Sequence, residues 1–491
     1  MVPGALSNAY STIEPYFPVV FTGLVITAAT ITSLHVILSR RDPGSSIAWI
    51  ALVWLAPVVG VISYLALGIN RIERRAESLR DDDKAFFSIP DVDPVTPEIL
   101  NDRLDDGNRH LRQLLPLVDR VVERPLLPGN KLEPLFDGDQ AYPAMLEAIE
   151  QAETNINLST YIFDNDETGR RFVAALEAAH KRGVEVRVLI DAAGLRYSIP
   201  SIYSRLRRAD IRAARFLPSL FPPHIMTINL RNHRKIMVVD GEIGFTGGIN
   251  IRSHHVLEEQ PSFPARDLHF RVDGPVVAQL QEVFVDDWEF STGEKLRGPD
   301  YFPSLCECGD SLARGIPDGP DEHLDKLRWT IKGAVSTAER SVRIMTPYFI
   351  PDPALVSSLA VASLRGLQVD IILPGVNNLP FVDWASMAHL RPLLHRGCRI
   401  FYTPAPFDHS KLMVVDGVWF LCGSANIDPR SLRLNFEFNV ECWDSTLAAS
   451  LDSYLDDRIE QAEQLTLEDY DDRSRLLKVR DGVAALASPY L

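Results

Sequence analysis

The chain has 491 residues, of which 46% are hydrophobic and 24% are charged, a composition typical of a folded protein of about three domains. The formal net charge of −16 argues against a general nucleic-acid-binding protein, which needs a basic surface, but it allows a local basic pocket. Five cysteines are too few for a disulfide framework and favour a reducing compartment.

Two apolar segments near the N-terminus predict a membrane anchor. Tyr16–Leu38 and Ile47–Ile69 contain no Asp, Glu, Lys or Arg. At ~1.5 Å per residue each reaches roughly 34 Å, enough for a hydrocarbon core of ~30 Å. A buried hairpin or a cleaved signal peptide explains them less well, because the segments follow each other closely and no Lys or Arg precedes the first. We therefore expect residues 1–75 to form a two-span transmembrane anchor.

Arginines beside these segments predict the orientation of the anchor. Two lie in the link and four follow the second segment, namely Arg40, Arg41, Arg71, Arg74, Arg75 and Arg80. Positive charge next to a span marks the cytoplasmic side, and two spans return the chain to the side on which it began. The sequence therefore predicts a multi-pass protein of the inner (cytoplasmic) membrane, with its body in the cytoplasm.

The body repeats one pattern of predicted elements. A strand, an amphipathic helix and a second strand are predicted in each copy, with the strands at Ile156–Phe163, Val184–Asp191, Val342–Ile350 and Leu367–Pro374. This order predicts a right-handed parallel crossover in each copy. We expect an acidic connector at 76–128, a first α/β half at 129–295, a linker at 296–330 and a second α/β half at 331–491. A pseudo-twofold axis is expected to relate the halves.

Each half carries the same short motif, in which a histidine and a lysine precede the letters MVVDG. Residues two apart on a strand face the same way, so each histidine projects together with its lysine. The aspartate falls at an Asp-Gly turn, where we expect it to fix the hairpin rather than contact substrate. We group all six motif residues as catalytic candidates, namely His233, Lys235, Asp240, His409, Lys411 and Asp416.

Small residues and an asparagine follow each motif. Glycine lets backbone approach an anion, and an asparagine amide donates to oxygen. We assign four of these residues to phosphate binding, namely Gly248, Asn250, Ser424 and Asn426. Two histidines, two lysines and two asparagines suit a phosphate diester, because the cations offset its charge and the imidazoles flank the attacking and leaving oxygens.

The sequence indicates neither a metal nor a cofactor. It has no Asp, Glu or His cluster with metal-ligand spacing and no Gly-rich nucleotide motif. Cys306 and Cys308 form a C-x-C pair without a second pair of ligands nearby. We therefore expect the cations of the paired motifs to replace a metal ion.

The paired H-x-K-x4-D motifs, each followed by G-G/S-x-N, resemble those of the phospholipase D superfamily. The two apolar segments and the stretches LLPGNKLEPLFDG, YIFDNDETG, TPYFIPD and DPRSLRLNFEFN are similar, more narrowly, to bacterial-type cardiolipin synthases. The resemblance covers nearly the whole chain. It implies two phospholipase-D-like halves and a membrane-bound phosphatidyltransferase. Such an enzyme makes cardiolipin from two phosphatidylglycerols, releases glycerol and passes through a phosphatidyl-histidine.

The resemblance also implies roles for individual residues. His233 is expected to attack phosphorus, and His409 to protonate the departing alcohol and deprotonate the incoming one. An acidic residue some thirty positions downstream orients each histidine in the superfamily, and Asp267 and Glu437 match it. We expect pairing within each half, so that Asp267 serves His233 and Glu437 serves His409.

Four further residues and several properties are left open. Tyr161 and Tyr348 end matching strands, where a core position is favoured over a place in the pocket. Arg266 and Arg430 either contact lipid phosphates or form structural salt bridges. A phospholipase D-type hydrolase is the alternative function, since water and a lipid alcohol attack the same intermediate. A silent membrane scaffold is opposed by the intact motifs in both copies. The second lipid, phosphatidylglycerol or phosphatidylethanolamine, and the oligomeric state are not decided.

Overall fold

The computed structural model describes residues 17–39, 43–68, 92–217, 230–320 and 323–488. They belong to two compact units, one within the first 75 residues and one that begins after them. The first unit is apolar and helical, whereas the second is a mixed α/β body.

The described residues of the first unit form three helices. They are α1 (Phe17–Leu38), α2 (Pro43–Leu55) and α3 (Pro57–Leu67). Among the described residues, α1 alone is long and apolar enough to cross a membrane, with 22 residues. The predicted second span, Ile47–Ile69, is not one continuous helix. Pro57 has no amide hydrogen and restricts the residue before it, so Ala56 leaves the helical conformation at φ −138° and ψ 72°.

The two shorter helices fold back on each other. A Cβ atom at Gly60 of α3 would lie 2.6 Å from the carbonyl oxygen of Leu52 in α2, so only glycine permits this approach. The hydroxyl of Tyr64 shares a hydrogen bond of 2.7 Å with Nδ1 of His35 in α1. Since both groups are polar and lie in apolar helices, this bond ties α3 to α1.

In the first half of the body, the described residues form nine strands and four helices. The strands are β1 (Leu127–Phe136), β2 (Asn155–Thr160), β3 (Glu185–Asp191), β4 (Arg212–Phe216), β5 (Arg231–Asn232), β6 (Ile236–Val239), β7 (Ile243–Gly247), β8 (Ala265–Arg266) and β9 (Leu268–Asp273). Before it come α4 (Pro97–Arg103) and α5 (Leu114–Val122), and its own helices are α6 (Asp137–Gln151), α7 (Glu167–Lys181), α8 (Ile202–Arg208) and α9 (Val277–Thr292).

The rest of the body repeats this plan. The strands are β10 (Ser311–Asp318), β11 (Ser341–Met345), β12 (Gln368–Pro374), β13 (Arg399–Thr403), β14 (Phe407–Asp408), β15 (Leu412–Val415), β16 (Trp419–Gly423), β17 (Asn435–Trp443) and β18 (Glu463–Leu465). The helices are α10 (Lys326–Thr337), α11 (Pro353–Leu364), α12 (Pro380–Leu394), α13 (Ser445–Glu460), α14 (Leu467–Asp471) and α15 (Arg475–Ala485).

The two predicted crossovers are confirmed. β2 runs parallel to β3, and β11 runs parallel to β12. The crossover helices α7 and α11 begin alike, because the side chains of Asp166 and Asp352 accept hydrogen bonds from backbone N–H groups of the first turn. The repeated sequence pattern therefore folds into two repeated α/β halves.

In the described part of the body, one sheet joins both halves. Its order is β18-β13-β12-β11-β15-β16-β17-β10-β1-β9-β7-β6-β2-β3-β4, with β5 attached to β17. Read outward from the central antiparallel pair of β1 and β10, the two sides repeat each other. This pattern places the pseudo-twofold relation at the central pair.

The central strand β10 lies within the segment 296–330 that we predicted to be a linker. Its eight residues are all buried, and it pairs with β1 on one side and β17 on the other. It is therefore the counterpart of β1 and part of the core, although the segment carries no repeated motif.

The predicted connector also belongs to the body. Leu100, Leu111, Leu114 and Val118 are fully buried in the same hydrophobic cluster as the second half. Burying one large apolar side chain completely stabilises a fold by about 1.5–3 kcal/mol. The segment at 92–126 therefore packs as an integral layer on the second half rather than as a spacer.

Candidate active site

The two motif histidines lie where the halves exchange strands. β5 of the first half runs parallel to β17 of the second, and β14 of the second half runs parallel to β8 of the first. The backbone N–H of His233 donates to the carbonyl of Phe436 at 2.9 Å, and that of His409 donates to the carbonyl of Arg266 at 2.8 Å. Each histidine is thus held against a strand from the other half.

This exchange decides which carboxylate serves which histidine. Nδ1 of His233 lies 2.9 Å and 3.0 Å from the two carboxylate oxygens of Glu437. Nδ1 of His409 lies 2.7 Å from Oδ2 of Asp267. The predicted pairing within each half is wrong. Glu437 directly follows Phe436, whose carbonyl binds His233, and Asp267 directly follows Arg266, whose carbonyl binds His409. Both acidic residues do contact a motif histidine.

Glu437 is fully buried and receives donors on both oxygens. The hydroxyl of Ser424 donates to Oε2 at 2.5 Å, and the amide of Asn435 donates to Oε1 at 3.2 Å. Burial alone would raise the pKa of the carboxyl, but His233, Lys235 and Ser424 outweigh it and hold the pKa below its ordinary value. A charged carboxylate here favours the tautomer with the proton on Nδ1, which leaves Nε2 of His233 with a free lone pair.

Asp267 has a different environment. The backbone N–H of Leu268 donates to its Oδ1 at 2.8 Å, and burial raises the pKa of this carboxyl. A Cβ atom at Gly248 would lie 2.0 Å from the same oxygen, so a larger residue would displace this carboxylate. Gly248 and Ser424 therefore support the carboxylates behind the histidines. The assignment of these two residues to phosphate binding stays a prediction.

The histidines and lysines have little contact with water. Burial lowers the pKa of His233 to about 4 and lowers that of His409 well below its ordinary value. The ammonium groups of Lys235 and Lys411 donate to the backbone carbonyls of His233 and His409, the first at 2.7 Å. Burial also lowers the pKa of Lys235 to about 7 and that of Lys411 to about 8. Without substrate, both imidazoles are neutral at pH 7.

The tyrosines face the site rather than the core that we favoured for them. The ring centroid of Tyr161 lies 5.2 Å from that of His233, and the ring of Tyr348 lies 6.3 Å from that of His409. Both rings approach edge-on. Tyr161 follows the C-terminal end of β2 and Tyr348 follows that of β11. These strand ends lie where the two halves contact each other, so both residues line the site.

The motif asparagines lie in the same buried region. Oδ1 of Asn250 accepts a hydrogen bond from the backbone N–H of Ile162 at 3.1 Å, which turns its amide nitrogen away from that strand. Oδ1 of Asn426 is buried and has no hydrogen-bond partner within the part of the chain that the structure describes. Both asparagines are 5% exposed. Their assignment to phosphate binding stays a prediction.

The motif aspartates do not belong to the reacting group, although we listed them as catalytic candidates. Asp240 and Asp416 stand at the far ends of the four-residue strands β6 and β15, ~17 Å along the strand from the lysines. Their carboxylates accept backbone N–H groups at the starts of β2 and β11, namely those of Glu153, Thr154, Asn155, Glu339, Arg340 and Ser341. They fix the hairpins, as the Asp-Gly turn predicts.

One arginine candidate is paired and the other is not. Nη1 of Arg266 lies 3.7 Å from Oδ2 of Asp137. Arg430 forms no ion pair with any residue that the structure describes, and it opposes the rise that burial causes in the pKa of Tyr161. Arg430 thus lies near the site and remains a candidate contact for a lipid phosphate.

Sequence reasoning missed two supporting residues near His409. Asp137 accepts the backbone N–H of Asp267 at 2.9 Å, and burial raises its pKa to about 7. His255 is buried, and its Nδ1 lies 3.0 Å from the carbonyl of Ala265. Comparing the two copies could not reveal His255, since the second copy has no histidine in the equivalent stretch. Asp137 stands in the stretch LFDG, where only the resemblance pointed to it.

A double-substitution test checks the crossed pairing. Glu437→Gln and Asp267→Asn should each lower turnover of a phosphodiester substrate by about 10²-fold, the scale of lost acid–base assistance. A histidine and its carboxylate act as a unit. Adding Glu437→Gln to His233→Ala should therefore lower turnover little further, whereas adding Asp267→Asn to His233→Ala should lower it substantially. Residual rates measured by mass spectrometry decide the point. Pairing within halves predicts the opposite pattern.

The buried lysines predict the pH dependence. A lysine is cationic below its pKa, so the charge of Lys235 is lost as pH rises through about 7. If the cation binds a phosphodiester anion, kcat/KM should fall above that pH. Arginine keeps its charge, so Lys235→Arg should move the alkaline limb toward the pKa of Lys411, about 8. An unchanged limb in Lys235→Arg would contradict this assignment.

Comparisons with known proteins agree with this geometry. A family model described as "Cardiolipin synthase, PLD-like domain" matches residues 145–288 and 331–459, and one described as "Phospholipase_D-nuclease N-terminal" matches 28–68. The body resembles the crystal structure of phosphatidylserine synthase from Haemophilus influenzae Rd KW20, with a TM-score of 0.60 at 14% identity over 77% of this chain and 100% of that one. This likeness concerns the fold.

Curated relatives are similar over nearly their full length. A cardiolipin synthase of Geobacillus kaustophilus is 32% identical over 476 residues, which cover 96% of this chain and 94% of the relative. The major cardiolipin synthase ClsA of Bacillus subtilis is 32% identical over 462 residues, which cover 92% and 95%. These matches favour phosphatidyl transfer over hydrolysis. The chain belongs to the cardiolipin synthases, a family of phosphatidyl-transferring enzymes in the phospholipase D superfamily.

Proposed function

We propose that this protein makes cardiolipin from two molecules of phosphatidylglycerol and releases glycerol, with His233 as the nucleophile. The observation that supports the proposal is the pair of buried imidazoles, each oriented by a carboxylate from the opposite half and accompanied by a lysine. The reaction exchanges one phosphodiester for another, so it requires no nucleotide.

In the first step, Nε2 of His233 attacks the phosphorus of one phosphatidylglycerol. The N–P bond forms as the bond between phosphorus and the glycerol oxygen breaks, and His409 gives its Nε2 proton to that oxygen. Without substrate the pKa of His409 is low, chiefly because of burial and the neighbouring Lys411. The negative charge of the bound diester raises this pKa, so His409 takes up a proton from the solvent when the substrate binds.

In the second step, a second phosphatidylglycerol replaces the released glycerol. His409 takes the proton from its terminal hydroxyl, the oxygen attacks phosphorus and the N–P bond to His233 breaks. Lys235 and Lys411 offset the charge on the phosphoryl oxygens in both steps. A site that excludes water limits hydrolysis of the intermediate. The small exposed fractions of both lysines, 2% and 4%, support such a site.

The different support of the two carboxylates favours His233 over His409 as the nucleophile. Glu437 accepts hydrogen bonds from Ser424 and Asn435 as well as from His233, and its pKa is lowered. The pKa of Asp267 is raised. A permanently charged partner stabilises the positive charge that His233 acquires when it bonds to phosphorus, whereas a proton-shuttling histidine needs less stabilisation.

The function is tested by incubating the purified full chain with phosphatidylglycerol micelles in EDTA and identifying products by mass spectrometry. Cardiolipin and glycerol in equal amounts are expected, while phosphatidic acid as the main product would indicate a hydrolase. With a substrate whose leaving group needs no proton, such as a nitrophenyl ester, His409→Asn should accumulate phosphatidyl-enzyme. His233→Ala should form none. Trapping only on His409 would reverse the roles.

We also propose that the protein is anchored in the cytoplasmic membrane through one complete crossing. α1 reaches ~33 Å, enough for a bilayer. The folded-back pair α2 and α3 suits a re-entrant element that packs on α1. One crossing leaves Arg40 and Arg41 on the same side as the four arginines after the anchor, whereas two crossings would separate them. Positive charge on one side supports a cytoplasmic body.

Thiol labelling in spheroplasts distinguishes one crossing from two. A single crossing puts the N-terminus outside, so a membrane-impermeant maleimide should label Ser7→Cys in intact spheroplasts. The exposed native Cys306 and Cys308 of the body should react only after permeabilisation, which provides an internal control. Labelling of Ser7→Cys only after permeabilisation would indicate two crossings.

A further inference from the structure

The C-terminal helix α15 leaves one face uncovered. Leu476, Val479, Val483 and Leu486 are 82%, 64%, 59% and 81% exposed. They recur at intervals of three and four residues, so they form a single stripe along the helix, here called the α15 stripe. A row of large apolar side chains with this exposure is unusual for a surface that faces only water.

Basic residues flank the stripe, and the acidic residue of the helix points inward. Arg475 and Lys478 lie on one flank of the stripe in a helical projection, and Arg480 lies on the other. Asp481, the only acidic residue of α15, is 1% exposed and is paired with Arg473 at 2.5 Å and with Arg480 at 2.7 Å. Arg475 and Lys478 thus add cations to an apolar face in a chain whose net charge is −16, whereas Asp481 offsets the charge of Arg480.

The opposite face of α15 packs toward the active site. Ala484 belongs to one cluster with Ile350 and Val382, and Tyr348 packs against that cluster. Tyr348 is also the ring that lies 6.3 Å from the ring of His409. Only a thin layer of side chains therefore separates α15 from the site.

Two loops at the site carry further exposed apolar side chains. Exposed apolar side chains follow β12 and its counterpart β3, namely Val376 at 52%, Leu379 at 46%, Phe381 at 42%, Tyr197 at 59% and Ile199 at 95%. The hydroxyl of Tyr348 donates to Oδ1 of Asn378 at 2.7 Å, which ties the loop after β12 to the site. Both loops stand at the sheet edge that carries the histidines.

We propose that the α15 stripe, together with the loop Val376–Phe381, docks on a bilayer that carries anionic phospholipid. An interfacial helix lies in the membrane plane, with its apolar side among the acyl chains and its cations at the lipid phosphates, which is the arrangement of this face. The inference rests on the proposed function only in that the substrate is a bilayer lipid. Docking here would let a headgroup reach His409 while its acyl chains stay in the membrane.

A fluorescent probe tests the docking directly. In the full chain with Cys306→Ser and Cys308→Ser, an NBD label is placed at Val479→Cys. The matched control is Val361→Cys. Val361 is 54% exposed and lies near the C-terminal end of α11, which leads to the start of β12 and away from the site. In vesicles of phosphatidylcholine and phosphatidylglycerol at about 7:3, nitroxide-bearing lipid should quench the label at 479 at least about twofold more than that at 361.

Two results with the probe would overturn the proposal. Equal quenching at both positions would show that the stripe stays in water. A blue shift in lipid-free detergent that grows with protein concentration would show that a second copy of the chain covers the stripe.

Substitution tests whether docking serves the reaction. Leu476→Glu with Val483→Glu should lower the ratio of the rate on vesicles to the rate on detergent micelles by about tenfold, since charge is expelled from the acyl boundary. The control, Val361→Glu with Leu364→Glu, should leave the ratio unchanged. An unchanged ratio in the α15 variant overturns the proposal. Quenching at 479 in a parent chain that makes no cardiolipin would instead refute the proposed function and leave the docking intact.

Discussion

The bond between each histidine and a carboxylate of the opposite half is the interaction on which the rest of the site depends. His233 reaches Glu437, and His409 reaches Asp267, only because β5 and β14 cross to the partner half and pair there. Neither half contains a complete histidine–carboxylate unit. The duplication therefore does more than supply two copies of a motif, since each copy completes the other.

Burial strengthens the electrostatic interactions of the site and also requires that each buried charge has a partner. Two lysines, two carboxylates and two histidines share a region from which water is largely excluded. Charges in such a region interact strongly, but each must have a partner, because an unpaired buried charge is costly. The lysines donate to the histidine carbonyls, and Glu437 accepts from three side chains. The phosphate of a bound substrate adds an anion that stabilises the charged forms of both lysines.

Local features of this fold were predictable from sequence, and those that depend on the meeting of distant segments were not. The alternation of side chains in extended backbone predicts that Lys235 lies beside His233, and the repetition reveals the second motif. The strand exchange that gives Glu437 to His233 joins residues 204 positions apart, and no local pattern reports it. β10 carries no motif, so only its burial and pairing identify it as the counterpart of β1.

Other errors came from signals that were present in the sequence but weighed too lightly. Pro57 interrupts the second apolar segment, yet length and the absence of charge alone suggested a straight span. Gly248 and Ser424 were read as backbone and hydroxyl donors for phosphate, since small residues after the motif permit that. In the structure they lie against the side chains of Asp267 and Glu437, a supporting role that no sequence pattern indicated.

The support of these two carboxylates has a consequence for how such a duplicated chain changes over time. The aspartate lies so close to the backbone of residue 248 that a side chain there would displace it, whereas the glutamate accepts a hydrogen bond from the side chain of Ser424. Glycine therefore goes with aspartate and serine with glutamate. Changing one member alone creates either a clash or the loss of a hydrogen bond to a buried charge. Positions 248 and 267 are therefore expected to co-vary, as are positions 424 and 437. A substitution that makes one repeat resemble the other should change both positions of a pair together.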